Sequence, residues 1–232
     1  MNLMSVAALQ GPQAETRRKI VDTAERLFRE IGYQKTTVAD IAKALRMSSA
    51  NVYRFFDSKK SINQAVAERT MGEIEAELSR IADGAGAAAE RFRKVARTYH
   101  RLNAERYTAD LRMHEMVACA MTESWDVVSS HIERVDEIYR RIIADGVAKG
   151  EFSVEDVDVA TRCAHVAMVR FCHPGLIVQC ADQPCPTLDH MIEFVLAGLG
   201  HRREQKTGSR PVRQSPSRRA ATTSGARSSA RK

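Results

Sequence analysis

Two hydroxyls, a methyl and an amide stand in a row at Ser48, Ser49, Ala50 and Asn51, and a phenol and a guanidinium follow at Tyr53 and Arg54. Two ammonium groups come shortly after, at Lys59 and Lys60. These groups donate hydrogen bonds to phosphate, and an Asn amide can pair bidentately with adenine. They do not set a nucleophile beside a base, and no GxSxG or HExxH run occurs in the chain. Catalysis by such motifs is therefore not expected. The chemistry that fits is recognition of a nucleic acid. Small side chains at the start of a helix let its backbone approach what it reads.

These groups need elements to hold them. Val52 and Phe56 lie four apart, on one face of the same stretch, and call for a core. Ser48 or Ser49 is expected to cap a helix that ends near Phe56. Thr37, with Asp40 three residues on, reads as a capping box that starts a helix over 38–45. Arg46-Met47 is the turn between them, and Ile41, Leu45 and Met47 are expected to face inward with Val52 and Phe56. The pair makes a helix-turn-helix whose second helix enters the major groove with its first residues. Tyr53, Arg54, Lys59 and Lys60 then reach phosphates, which position the protein without reading sequence. Ahead of the pair, Ile20, Ala24, Leu27, Phe28 and Ile31 recur at helical spacing, with Gly32 as a stop.

A fourth helix is expected from Ser58 through Ile62, Val66, Met71, Ile74 and Leu78 to about residue 81. Further helices are expected at 88–104, 107–121, 124–148, 155–173 and 187–199, with Pro174-Gly175 ending or kinking the fourth of these. Strand alternation is absent, so the fold class is all-α. The expected division is a flexible arm at 1–15, a DNA-binding unit at 16–62, a helical bundle for ligand binding and dimerisation at 63–200, and a disordered basic tail at 201–232.

Charge supports that division. Residues 1–70 carry 12 Lys/Arg against 7 Asp/Glu, 71–200 carry 14 against 21, and 201–232 carry 10 against 1. A basic head suits a polyanion, and an acidic body argues against wrapping nucleic acid around the whole molecule. No apolar run reaches the length of a membrane span, and the first residues do not read as a signal peptide. Five Cys, none in a CxxC pair, favour reduced thiols and a cytoplasmic location.

The segment TTVADIAKALRMSSANVYRFFDSKKSI, entered from RRKIVDTAERLFREIGYQKTT, resembles the DNA-binding domain of the tetracycline-repressor family of bacterial transcription regulators. The landmarks are AxxLFxxxG, TTVxxIA, the turn followed by Ser, and YxxFxSKxxI, over about residues 16–62. The resemblance implies a three-helix N-terminal domain and a larger helical domain that dimerises and binds a small effector. It implies that Thr37 touches phosphate, that Ser48, Ser49, Ala50 and Asn51 face bases or nearby phosphates, and that Tyr53 and Lys59 grip the backbone. Ala39 takes a position from which some relatives read a base. Arg46 departs from the pattern, because Gly is usual there. A left-handed backbone at Arg46 costs roughly 1 kcal/mol, some of which a phosphate contact could return.

Candidates for an effector pocket are Tyr99, Tyr107, His114, Trp125, Tyr139, His165, Met168, Arg170 and Phe171. Arg170, set among Val, Met and Phe, is expected to pair with a carboxylate across a dimer, or to meet an anionic effector. Dimerisation is expected through 155–173 and 187–199, with Leu188, Met191, Ile192, Phe194, Val195 and Leu199 as the stripe. The reading is a repressor, with no cofactor, that leaves a palindromic operator in double-stranded DNA when an effector binds. A nucleoid-type binder relying on the basic tail is the alternative. A thiol or metal sensor built on Cys163, His165, Cys172, His173, Cys180 and Cys185 is another, against which Cys in an apolar helix is simply a small hydrophobe.

Overall fold

The computed structural model describes residues 11–107, 119, 121–122, 124–183 and 185–201. Nine helices and no strand occur among them: α1 (Pro12–Ile31), α2 (Val38–Ala44), α3 (Ser49–Tyr53), α4 (Lys59–Ala82), α5 (Ala88–Tyr107), α6 (Trp125–Ala148), α7 (Val157–Cys172), α8 (Pro174–Gln179) and α9 (Leu188–Gly198). The expected helix over 107–121 and the basic tail fall largely outside the described residues. Helix α1 begins at Pro12, ahead of the expected start. Proline's missing N–H costs nothing in a first turn, and Gly11 before it bends the chain in at φ 103°.

Local chemistry sets the ends. Thr37 Oγ1 accepts from the Asp40 amide at 3.2 Å while Asp40 Oδ2 accepts from the Thr37 amide at 2.9 Å, the reciprocal box expected from the sequence. Ser58 and Ser61 do the same for α4, each hydroxyl taking the other's amide at 3.1 Å. Asp156 Oδ1 accepts two amides at the start of α7, from Asp158 at 2.8 Å and Val159 at 3.0 Å. Pro174 does not merely kink the preceding helix. It opens α8, with His173 Nδ1 accepting the Leu176 amide as the cap.

Two apolar cores follow from these helices. One gathers Ile20, Ala24, Phe28, Ile41, Val52 and Ile62, with their neighbours, from α1 to the start of α4. The other gathers Ile74, Leu78, Phe92, Tyr139, Ile142 and Met168, with their neighbours, from the far part of α4 to α9. Helix α4 enters both. At 1.5 Å per residue its 24 residues run about 36 Å. Ion pairs hold it on each side: Arg69 reaches Asp22 and Glu25 of α1, and Arg106 of α5 donates to the Thr70 carbonyl at 3.0 Å and to Glu73 at 2.7 Å.

The expected stripe on the last helix divides. Ile192, Val195 and Leu199 are buried in the chain's own core, whereas Phe194 is 72% exposed. On α7, Val159 and Val166 are likewise exposed, at 50% and 72%.

Candidate nucleic-acid interface and adjoining cavity

The outer side of α2 and α3 carries the polar set. Thr37, Ala39, Arg46, Ser48, Ala50, Tyr53, Arg54 and Lys60 are exposed, and Ser49, Asn51 and Lys59 are half-buried. Behind them, Val38, Ile41, Val52 and Phe56 are buried, with Leu45 and Met47 packed partly against them. Ser48 Oγ accepts the Asn51 amide at 3.2 Å, which caps α3. The Asn51 side-chain amide has one weak partner, donating to Met47 Sδ at 3.8 Å. Its hydrogen-bonding capacity is therefore largely open. Helix α3 stops at Tyr53, short of the expected Phe56, yet Phe56 still turns inward.

Arg46 takes φ 54° and is the one non-Gly residue at positive φ among the described residues. The reason is the exit from α2. The Met47 amide donates to Ala42 at 3.0 Å and the Arg46 amide to Lys43 at 3.1 Å, the paired bonds that close a helix through a left-handed residue. The guanidinium on that residue is exposed.

Lys59 is placed differently from a free phosphate anchor. Its ammonium donates to the Tyr33 and Gln34 carbonyls at 3.0 and 3.3 Å and stands 4.5 Å from the centre of the Tyr33 ring. It ties the start of α4 to the end of α1. Lys60 keeps its charge in solvent.

Beyond this layer lies a cavity of about 420 Å3. Its apolar wall is Ala67, Met71, Ile74, Val128, Ile132, Val166 and Val169. Two histidine–carboxylate pairs meet it. His131 Nδ1 lies 2.6 Å from Glu75, which Arg134 also holds at 2.5 Å, and His131 Nε2 lies 3.0 Å from the Tyr99 hydroxyl. His165 Nδ1 lies 2.5 Å from Asp136. Burial pushes the Glu75 carboxyl up, but its bonds from His131 and Arg134 outweigh that and hold it below the usual range. His173, also on the wall, is held below the ordinary histidine value by burial.

Of the residues expected from sequence, Tyr99 and His165 line this cavity. Tyr139, Met168 and Phe171 are buried in the core beside it, and Trp125 is 52% exposed. Arg170 meets no carboxylate among the described residues. It donates to the Gln183 and Cys185 carbonyls at 3.1 and 3.3 Å, and its guanidinium lies 5.4 Å from the Phe171 ring centre. His114 and the Tyr107 side chain lie outside the described residues. Sequence reasoning missed Asn63, Asn103, His131, Asp136 and Arg162. Asn63 was findable, because Asn63, Ala67, Thr70 and Ile74 form one helical stripe.

Among the described residues no three His, Cys, Asp or Glu side chains group as a metal site. Cys172 is buried, and burial pushes its thiol far up, away from reactive thiolate. No described helix is long and apolar enough to cross a membrane.

Comparison with known proteins matches residues 20–66 to the family described as "Bacterial regulatory proteins, tetR family". Residues 88–187 match "Tetracyclin repressor-like, C-terminal domain". The chain is 28% identical over 165 residues to the HTH-type transcriptional repressor KstR2 of Rhodococcus jostii (strain RHA1), covering 68% of this chain and 80% of that one. Over 44 residues it is 54% identical to the biofilm operon icaADBC HTH-type negative transcriptional regulator IcaR of Staphylococcus aureus (strain Newman), covering 19% and 24%. A crystal structure of a TetR/AcrR-family transcriptional regulator from Thermobifida fusca YX-ER1 superposes with TM-score 0.60 at 25% identity, over 82% of this chain and all of that one.

Proposed function

We propose that this chain, which belongs to the tetR family of bacterial regulatory proteins, represses transcription as a homodimer on an inverted-repeat operator and leaves it when a small molecule fills the cavity. As a family member it is a DNA-binding transcriptional regulator and not an enzyme. The inverted repeat, the release and the cytoplasmic location are the inference.

One observation carries it. Helix α4 starts with Lys59 and Lys60 at the interface, and its next turns present Asn63, Ala67, Thr70, Met71 and Ile74 to the cavity. A ligand there presses on the rod that sets the interface. Release follows if the ligand binds the off-DNA arrangement more tightly than the on-DNA one. The two cores support a division of the chain along α4. Exposed Val159, Val166 and Phe194 support a self-complementary face on α7 and α9.

In vitro selection from random duplexes, with full-length protein and a 1–201 truncation side by side, tests the reading. A shared inverted repeat is expected from both. Enrichment of none would overturn it. Binding by full-length protein alone, without a motif, would instead make the basic tail the DNA-binding element.

A further inference from the structure

Among the described residues lining the cavity, one buried side-chain oxygen has no hydrogen-bond partner. Asn63 is 1% exposed, and its carbonyl oxygen is buried without a hydrogen-bond partner. Such a group is costly to leave unmet and is generally explained by strain, water or a ligand. The carboxylates around the cavity are already engaged: Asp136 by His165, and Glu75 by His131 and Arg134. One cation, Arg162, is not. Among described residues 71–201, every other arginine bonds a carboxylate, or, for Arg170, two carbonyls, while Arg162 has neither. Arg162 is exposed and also lines the cavity, so the residue stands where the cavity meets solvent. His173 does not compete as a cation, because burial favours its neutral form.

We propose that the cavity accepts an amphipathic monocarboxylate, its apolar body against Met71, Ile74 and Val128, its carboxylate held by Arg162, and a hydroxyl or carbonyl on the body meeting Asn63. The proposal rests on the reading of this cavity as the effector site. An amine ligand would find its natural partners occupied and a guanidinium facing it. A fully apolar ligand would leave Asn63 unmet. Size sets a further limit: about 420 Å3 holds about 14 water-sized groups at ~30 Å3 each, the heavy-atom count of dodecanoic acid. Asn63 lies four residues beyond Lys59, one turn from the interface. The same bond that satisfies it fixes that turn.

Calorimetric titration of the full-length protein with dodecanoic acid, methyl dodecanoate and a series of hydroxydodecanoic acids tests this. The acid should bind at least about tenfold tighter than its ester, a charge-assisted bond against a neutral one. R162Q should erase that difference. One hydroxy acid should bind tighter than the plain acid, and N63L should abolish its advantage while raising Tm, since a buried unmet carbonyl oxygen is removed by a side chain of similar shape. Equal binding of acid and ester, a hydroxyl advantage that survives N63L, or no binding by any of the set would each overturn the proposal. Sequence-selective DNA binding by the ligand-free protein is scored separately. If it holds while carboxylates fail, only the ligand class falls; if it fails, the regulator reading falls on its own.

Discussion

Arg46→Gly separates a residue's cost to the fold from its use at the interface. At φ 54° the side chain sits where L-residues are disfavoured by about 1–2 kcal/mol. Glycine removes that strain but gives the unfolded chain extra freedom, which offsets about 0.4–1 kcal/mol. The bonds that close α2, from Met47 to Ala42 and from Arg46 to Lys43, are backbone bonds and survive the change. The net expectation is a gain of about 0.5–1 kcal/mol, or about 1–4 °C in Tm for a chain of this size. DNA binding should move the other way. If each Arg46 neutralises one phosphate, the homodimer loses two contacts, and the slope of log K against log salt should fall in magnitude by about 2. Thermal denaturation and fluorescence-anisotropy titration across a salt series measure both. R46A is the control: it keeps the strain and loses the charge, so it should lower the salt slope as R46G does, without the rise in Tm. A Tm for R46G at or below the parent would refute the strain argument. An unchanged slope would remove Arg46 from the phosphate contacts.

Three further outcomes are expected. Asn51→Ala should leave stability within about 0.5 kcal/mol, since it loses only the contact with Met47 Sδ. On a selected operator it should cost about 1–3 kcal/mol of discrimination at one base position per half-site, and an unaltered selection profile would withdraw its base-reading role. Gly146→Ala should destabilise by about 1–3 kcal/mol despite alanine's better helix propensity, because a Cβ there runs into the buried Phe152 ring and comes 2.9 Å from Ala88 Cβ; a raised Tm would show that the ring yields freely. Glu75 is lowered in the folded state, so its contribution is present above its unfolded value near 4.5 and is lost as pH falls through the folded value. Glu75→Gln should therefore be less stable near neutrality and show a flatter fall in Tm between about pH 5 and about pH 3; a parallel curve would exclude this group from the acid response.

The helix-turn-helix was legible in the sequence because its determinants are local. The Thr37–Asp40 box, the Ser48 cap and the inward pair Val52 and Phe56 act within four residues of one another, and spacing alone places them. The left-handed backbone at Arg46 was signalled differently, by the Gly usual at that position in the family the segment resembles. Lys59 was not legible. Its partners are carbonyls at Tyr33 and Gln34, freed by the end of α1, and nothing at position 59 signals them. The cavity was harder still. His131, Asp136 and Arg162 share a cavity with Asn63 only because α6 packs against both α4 and α7, and aromatic and Met content pointed instead to Tyr139, Met168 and Phe171, which the packing keeps for the core.

The placement of that cavity bears on how one rod can serve two layers. Up to Arg69, α4 is held by the first core, through Ile62, Ala65 and Val66, and by the bonds of Arg69 to Asp22 and Glu25 of α1. From Thr70 onward it is held by the second core and by bonds from Arg106, His131, Arg134 and Arg141. Where the two grips meet, the apolar support is slight, a small group of Ala67, Val127 and Met71, and buried Asn63 and Thr70 put polar groups along the same stripe. From α4, Asn63, Ala67, Thr70, Met71 and Ile74 line the cavity. Here it borders the one stretch of α4 where the grip passes from one layer to the other, so filling it changes the support of that stretch first. That is why Asn63 and Ala67, rather than Ile74 and Leu78 of the second core, are the α4 positions at which substitution should alter the ligand's effect on DNA binding most.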